Sequence, residues 1–447
     1  MNSKIPKLRK KTRSTSEKRK KKRNKKVRDT LDEDEEHEQV TKPSSEPIKK
    51  SQEKQTSTQN TAPQPPAGML TAVLNAMSIN VGGTDHVKKL VDWVAETHSN
   101  GGLSKFFIEH LANYIPPPDI YKYSHFSEHK NKNRYKDVVC LDGTRVKLQM
   151  EGYTSDYIHA NHIVFPDFDR KFIATQYPLE ETIEDFWRMV FDESVDTIIA
   201  LCNPRGEVEL KHDKLEKTKT TTSVLSFRPF NFAKSIYQIP PTSVREAPGQ
   251  SNAYWPLKEG SYTTYGKFFV HTRKIEPPEQ RTSPHIYTVE ILPEGCSNCI
   301  FVKVINFQSW PKSNLPSSPR VVLKLIKKVR EIDPLQSGPV VIHCDGGINR
   351  SAVVILTDVI LTRVYSGKSV DIAEIFKRLR NQRASCIQSH FLFVYVFYCV
   401  TEYIRLRCIK VKNPATSDMV KQIVNLQKDF TKILKDMNME KTHQQSR

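Results

Sequence analysis

The stretch that most constrains this chain is Gly338-Pro-Val-Val-Ile-His-Cys-Asp-Gly-Gly-Ile-Asn-Arg-Ser-Ala, residues 338–352. An apolar, β-branched run, Val340–Ile342, leads into Cys344. Arg350 and Ser351 follow, and then a helical apolar pattern, Val353–Val364. A strand, a glycine-bearing loop and a helix N-terminus in that order make an anion cradle, because backbone N–H groups and the helix dipole are directed at one spot. An arginine on the far side of such a loop grips two phosphate oxygens at once. A cysteine at the loop's start sits in the same positive field, which favours the nucleophilic thiolate. Cys-x5-Arg spacing is weak by itself, and the strand–loop–helix frame gives it weight. The candidates are Cys344 as nucleophile, Arg350 as anion ligand and Ser351 as a hydroxyl beside the thiolate. Asp345, Gly346, Gly347, Ile348 and Asn349 supply the loop backbone.

The rest of the 447-residue chain supports one sizeable domain with tails. Residues 1–67 hold a basic run, an acidic run and a Ser/Thr/Gln/Pro stretch, too poor in aliphatics to offset ordering entropy, and are expected to be disordered. Residues 68–412 carry the apolar periodicity of a folded domain, with a core over 103–410 and an insertion at 204–250. Thr84 or Asp85 is the expected cap of a helix running to Asn100-Gly101-Gly102, followed by a second apolar-periodic stretch, Leu103–Tyr114. Strand patterns occupy the middle: Tyr157–Val164, Thr197–Leu201, Lys267–His271, Tyr287–Leu292 and Phe301–Phe307. Helical patterns return at Val321–Ile332 and dominate after Arg350. That distribution predicts an α+β domain. In 413–447, Met419, Ile423, Leu426, Phe430, Ile433 and Met437 form a seam of three- and four-residue steps. This amphipathic helix either docks on its own domain or meets a partner helix over 419–437.

Charge and cysteine usage narrow the class. The formal charge is +19, but fifteen Lys and Arg against one Glu lie within residues 1–28, so fourteen of those nineteen charges sit in one arm. Residues 18–28 are read as a nuclear-import signal for an import receptor, an arm for an anionic surface, or a solvated tail. The longest apolar run, Phe391–Val400, is ten residues, too short to span a bilayer. The N-terminus has no apolar segment of a secretory signal. Eight scattered cysteines form no disulfide framework. The expectation is a reduced, intracellular protein, cytoplasmic or nuclear. Cys296-Ser-Asn-Cys299 is a single CxxC pair, read as a turn between strands rather than a zinc site. No metal or cofactor is expected.

The motifs resemble those of the cysteine-dependent protein tyrosine phosphatases, in the tyrosine-specific receptor and non-receptor branch. The resemblance covers about residues 103–410. It rests on Lys132-Asn-Arg-Tyr-Lys-Asp-Val, Asp156-Tyr-Ile-His-Ala-Asn, Phe172-Ile-Ala-Thr-Gln, and Pro178-Leu with Thr182 and Asp185-Phe-Trp-Arg-Met-Val. Tyr254-Trp-Pro, Trp310-Pro, Leu379-Arg-x-Gln-Arg and Gln388 complete it. The opening at 85–115 is similar to divergent nematode members. The resemblance implies a twisted mixed sheet with helices on both faces. It implies that Cys344 is the nucleophile, Arg350 the phosphate ligand, Ser351 the hydroxyl beside the thiolate, and His343 a residue that tunes the cysteine. It further implies that Tyr135 stacks on the substrate phenyl ring, Asp137 holds the substrate backbone, and Gln388 orients water for hydrolysis of a cysteinyl-phosphate. The implied partner is a phosphotyrosine-containing protein.

Departures from the family pattern lower the expected turnover. Where the family has Trp-Pro-Asp, with Asp as general acid, this chain has Trp310-Pro311-Lys312. A tyrosine leaving group has a conjugate-acid pKa of about 10 and needs a proton in the transition state. Losing a positioned acid costs about 10²–10⁴-fold. Lys312, with a reference pKa of about 10.4, donates poorly but holds a dianion well. Asp345, Gly346, Asn349 and Ala352 replace the family's Ser, Ala, Gly and Gly, and Leu392 stands where a second water-positioning glutamine is usual. An inward Asp345 carboxylate opposes phosphate by about 1–2 kcal/mol, and an outward one by little. Asn349 is the mildest non-glycine choice if φ must be positive. Three readings follow: a phosphotyrosine-binding protein with impaired catalysis, a slow phosphatase acting through a Cys344 phosphocysteine, and a scaffold with a vestigial pocket.

Overall fold

A computed structural model describes residues 81–202, 253–280, 283–310, 315–316, 318–332, 338–411 and 416–445, without the side chains of 81–84, 411 and 436–445. The expected tail 1–67 with its basic arm, the expected insertion 204–250, and Lys312 lie outside the described residues. Helices α1 (Val81–Ser99), α2 (Gly102–His110) and α3 (Ser124–Glu128) come first, then strands β1 (Arg145–Lys147), β2 (Tyr157–Phe165) and β3 (Phe168–Gln176). Helix α4 (Ile183–Asp192) leads to β4 (Thr197–Ala200). Strands β5 (Tyr262–Tyr265), β6 (Phe268–Glu276), β7 (His285–Pro293) and β8 (Ile300–Asn306) follow. Helix α5 (Arg320–Arg330), strand β9 (Val340–Cys344), and helices α6 (Arg350–Tyr365), α7 (Ile372–Gln382), α8 (His390–Val411) and α9 (Ser417–Gln445) complete the order.

These strands form one nine-stranded mixed sheet in the order β1-β2-β3-β9-β4-β8-β7-β6-β5. Strands β3, β9, β4 and β8 are mutually parallel, and the outer pairings are antiparallel. The central strands are apolar on both faces, as a sheet covered on both sides demands. Val340 and Ile342 of β9 join a core with α1, α2 and α5 to α9, while Val341 joins a second core with α4. The α+β expectation of a mixed sheet with helices on both faces holds. The C-terminal ends of the parallel strands lie side by side, with Gln176 paired to Cys344, Ala200 to His343 and Asn306 to Ala200. Open sheets with parallel strands present ligand crevices at such ends.

One expectation at the N-terminal side needs correction. Helix α1 begins at Val81, so neither Thr84 nor Asp85 caps it. Asp85 lies inside the helix and pairs with Lys89 one turn on, at 2.8 Å. Helix α6 is buried almost all round, so its one carboxylate, Asp358, is doubly paired, with Arg170 at 2.9 Å and Arg330 at 2.8 Å. In α9, Ile423, Leu426 and Phe430 are buried in the same core as α8 and α1, so these members of the 419–437 seam face the chain's own domain. The Gln427 amide donates to the Glu402 carboxylate on α8 at 3.1 Å. Cys296 and Cys299 lie in the turn between β7 and β8, the first exposed and the second half-buried. Among the described residues, no cluster of His, Cys, Asp and Glu is set to hold a metal, and no helix is long and apolar enough to cross a membrane.

Candidate active site

The loop from Cys344 to Arg350 joins the end of β9 to the first residue of α6. Its carbonyls are tied back one after another. The Asp345 carbonyl accepts the Tyr177 N–H at 3.0 Å. The Gly346 and Gly347 carbonyls accept Arg383 Nη2 and Nε at 2.8 and 3.3 Å. The Ile348 carbonyl accepts the Ile387 N–H at 2.9 Å. In a planar trans peptide the C=O and the following N–H point in opposite directions. The N–H groups of Gly346, Gly347, Ile348 and Asn349 are therefore turned away from these four partners, into the concave side of the loop. Such a set of amides is an anion-binding nest. Gly347 makes the turn at φ 68°, and a Cβ there would lie 2.1 Å from the Thr175 carbonyl oxygen, so only glycine fits.

Cys344 is buried at the mouth of β9 and Ser351 is fully buried one residue into α6. The Ser351 Oγ has no hydrogen-bond partner among the described residues. Arg350 is anchored by Nη1 to the Leu201 carbonyl at 2.9 Å, at the end of β4. The half-buried Tyr135 ring walls the cradle: a Cβ placed on Gly346 would touch its Cδ2 and Cε2 at 3.4 Å. Burial and the Asp345 carboxylate push the Tyr135 phenol up, so it stays neutral. Burial and then the Asp345 charge also push the Cys202 thiol up. Asp137 is half-buried just beyond Tyr135. Burial pushes its carboxyl up, and among the described residues no hydrogen bond joins it to the cradle.

Asn349 has φ −108°, so the positive φ considered for it is absent. Its side chain bonds twice to Gln388, across the mouth of the loop. Leu392 is half-buried against the main core on α8. Trp310, the last described residue before Lys312, is buried against Tyr395 with ring centroids 6.0 Å apart.

Several supporting residues carried no role in the sequence reading. Arg383 is fully buried and also binds Asn161 Oδ1 at 2.7 Å and His159 Nδ1 at 3.1 Å. Arg380 ties the Cys386 and Ile387 carbonyls to those of Leu111, Ala112 and Tyr114, just beyond α2. Gln176 clamps the Tyr135 loop, accepting the Arg134 N–H and donating to the Lys132 carbonyl. The Leu379-Arg-x-Gln-Arg signature contained both arginines, and two cations in an otherwise core-facing helix pattern were the one available signal.

His343, beside Cys344, is fully buried, with Nε2 2.7 Å from the Tyr254 hydroxyl. Burial pushes it down to about 3, and His159 likewise. Both are neutral in the fold, whereas an unfolded histidine takes up a proton near pH 6.5. Their contribution to stability is complete above pH 6.5 and is lost as pH falls toward 3, because the unfolded state then binds more protons. Each should cost about 2 kcal/mol of stability between pH 6.5 and pH 5. Urea melts at those two pH values should show this loss, and His343→Gln should reduce it.

The sequence profile of the protein-tyrosine phosphatase family matches residues 129–223 and 236–402. Receptor-type tyrosine-protein phosphatase epsilon of Homo sapiens is 31% identical over 264 residues, covering 59% of this chain and 32% of that protein. Tyrosine-protein phosphatase Lar of Drosophila melanogaster is 28% identical over 283 residues, covering 63% of this chain and 12% of that protein. Receptor-type tyrosine-protein phosphatase F of Rattus norvegicus is 27% identical over 318 residues, covering 71% and 14%. The matched part of this chain thus spans about a third or less of the length of these relatives.

Proposed function

Because this chain belongs to the protein-tyrosine phosphatase family, we propose that it captures a phosphotyrosine side chain of a partner protein in the Cys344–Arg350 cradle and turns it over poorly. The observation that carries this reading is the run of four loop carbonyls tied outward, which leaves four amides to meet a phosphate. Arg350 adds a bidentate charge, and the Tyr135 ring gives the pocket an aromatic wall suited to a phenyl group. In this reading Asp137 holds the peptide backbone. Lys312, at the general-acid position, adds charge for the dianion and withholds the proton that the leaving tyrosine needs. The setting is intracellular, cytoplasmic or nuclear.

A second reading keeps the chemistry. The phosphoryl group passes from the tyrosine oxygen to Cys344 Sγ, a proton from water goes to the phenolate, and water then cleaves the cysteinyl-phosphate. It is favoured by the buried, unpartnered Ser351 Oγ, a donor free to steady a thiolate.

Binding tests the first reading. Calorimetry of the full chain with a phosphotyrosine peptide should show binding that Arg350→Ala weakens by about 100-fold or more, the loss of two charge-assisted hydrogen bonds. Affinity unchanged in Arg350→Ala would leave the vestigial-pocket reading instead.

A further inference from the structure

Resting on the phosphate-binding reading above, the geometry points to Asn349 as a positioning residue that fixes Gln388 with its amide nitrogen, not its oxygen, presented to the cradle's anion. The orientation follows from hydrogen-bond logic. The Gln388 backbone N–H can only donate, and it meets the Asn349 side chain at 3.2 Å, so the atom there is Oδ1. The other Asn349 atom is then Nδ2, which can only donate. The Gln388 atom it meets at 3.2 Å must be the acceptor Oε1. The amide assignment of both side chains is thus set by one backbone group. The Gln388 NH₂ is left with both its donors, against the one lone pair left on Oε1.

That choice matters chemically. A glutamine that orients an attacking water needs its oxygen to accept the water's proton. A glutamine whose oxygen is already shared with Asn349 has one lone pair left for a water and both N–H donors free for phosphate oxygens. The pair therefore favours retention of the anion over its hydrolysis. The segment carrying Gln388 is also held firmly. Ser385 and Ile387 sit at φ 63° and 56°, and a β-branched residue in that region persists only where its surroundings impose it. The Ile387 N–H is bonded to the Ile348 carbonyl, and Arg380 holds the Cys386 and Ile387 carbonyls from behind. Gln388 thus projects from a strained, pinned segment onto Asn349. The bond needs a side-chain amide at position 349, where the family pattern has glycine.

The test is a double-mutant cycle on the full chain, with inorganic phosphate as the titrant in calorimetry and thermal melts in parallel. Asn349→Gly should weaken phosphate binding about tenfold, the worth of one positioned donor to a charged acceptor. Asn349→Ala lacks both the acceptor for the Gln388 N–H and the donor for Oε1, and should weaken it similarly; at φ −108° alanine is unstrained, so it covers the case in which the glycine variant misfolds. In a Gln388→Ala background either substitution should change binding less than about twofold. Wild-type affinity in both Asn349 variants, or an undiminished loss in the Gln388→Ala background, would overturn the inference while leaving phosphate capture intact. Absence of phosphate binding by the wild type would remove both.

Discussion

Lys312→Asp should raise phosphate release from a phosphotyrosine peptide by about 10²-fold or more in the full chain. The argument is one of proton supply. The phenolate leaving group is strongly basic, so its departure is slow unless a neutral acid protonates it as the bond to phosphorus breaks. A carboxylic acid held beside the leaving oxygen meets that need. A lysine ammonium does not, because its proton is held about as tightly as the phenol's own, and a neighbouring dianion holds it more tightly. The control is an activated aryl phosphate, whose leaving group hardly needs a proton. Lys312→Asp should change that rate little, so the ratio of the two substrates, read by phosphate release, isolates the acid. Cys344→Ser should abolish any turnover that appears. Wild-type turnover of the peptide that depends on Cys344 would instead establish the slow-enzyme reading, with another proton source.

The second large effect is on stability. Arg383→Ala should cost about 3–5 kcal/mol, measured as a shift in the urea midpoint. The guanidinium is fully buried and bonded to the Gly346 and Gly347 carbonyls, Asn161 and His159. Alanine leaves these acceptors buried without donors and opens a void. Arg383→Lys should recover little, because one ammonium cannot span the fork geometry of four acceptors on different elements. The two carbonyls that Arg383 holds are also what turns the following amides into the cradle. Phosphate affinity should therefore fall in Arg383→Lys even under conditions where the variant is folded. A variant as stable as wild type would show that the loop holds its shape without this support.

Much of the site was legible because its chemistry is local in the chain. Cys344, the loop amides and Arg350 lie within seven consecutive residues, so strand, turn and helix propensities place them together whatever the rest of the fold does. The central strands were legible for a related reason. A parallel strand covered on both faces reads as an unbroken apolar run, and Val340–Ile342 is one. The start of α1 was misread because a side chain that suits a cap also suits an i,i+4 ion pair, and Asp85 makes the latter with Lys89.

What stayed hidden depends on long-range contact. Arg383 meets Asn161 across 222 positions, and Asn349 meets Gln388 across 39. Nothing in either local sequence declares the partner, because hydrogen-bond geometry exists only after the sheet order and the α7–α8 connection bring the elements together. The amino-acid order by itself set Cys344 and Arg350 at the two ends of one loop between a strand and a helix, since backbone propensity and residue chemistry act over a few bonds. Which way the loop's carbonyls point and how Asn349 meets Gln388 were decided only by the tertiary structure, since each depends on partners that packing supplies.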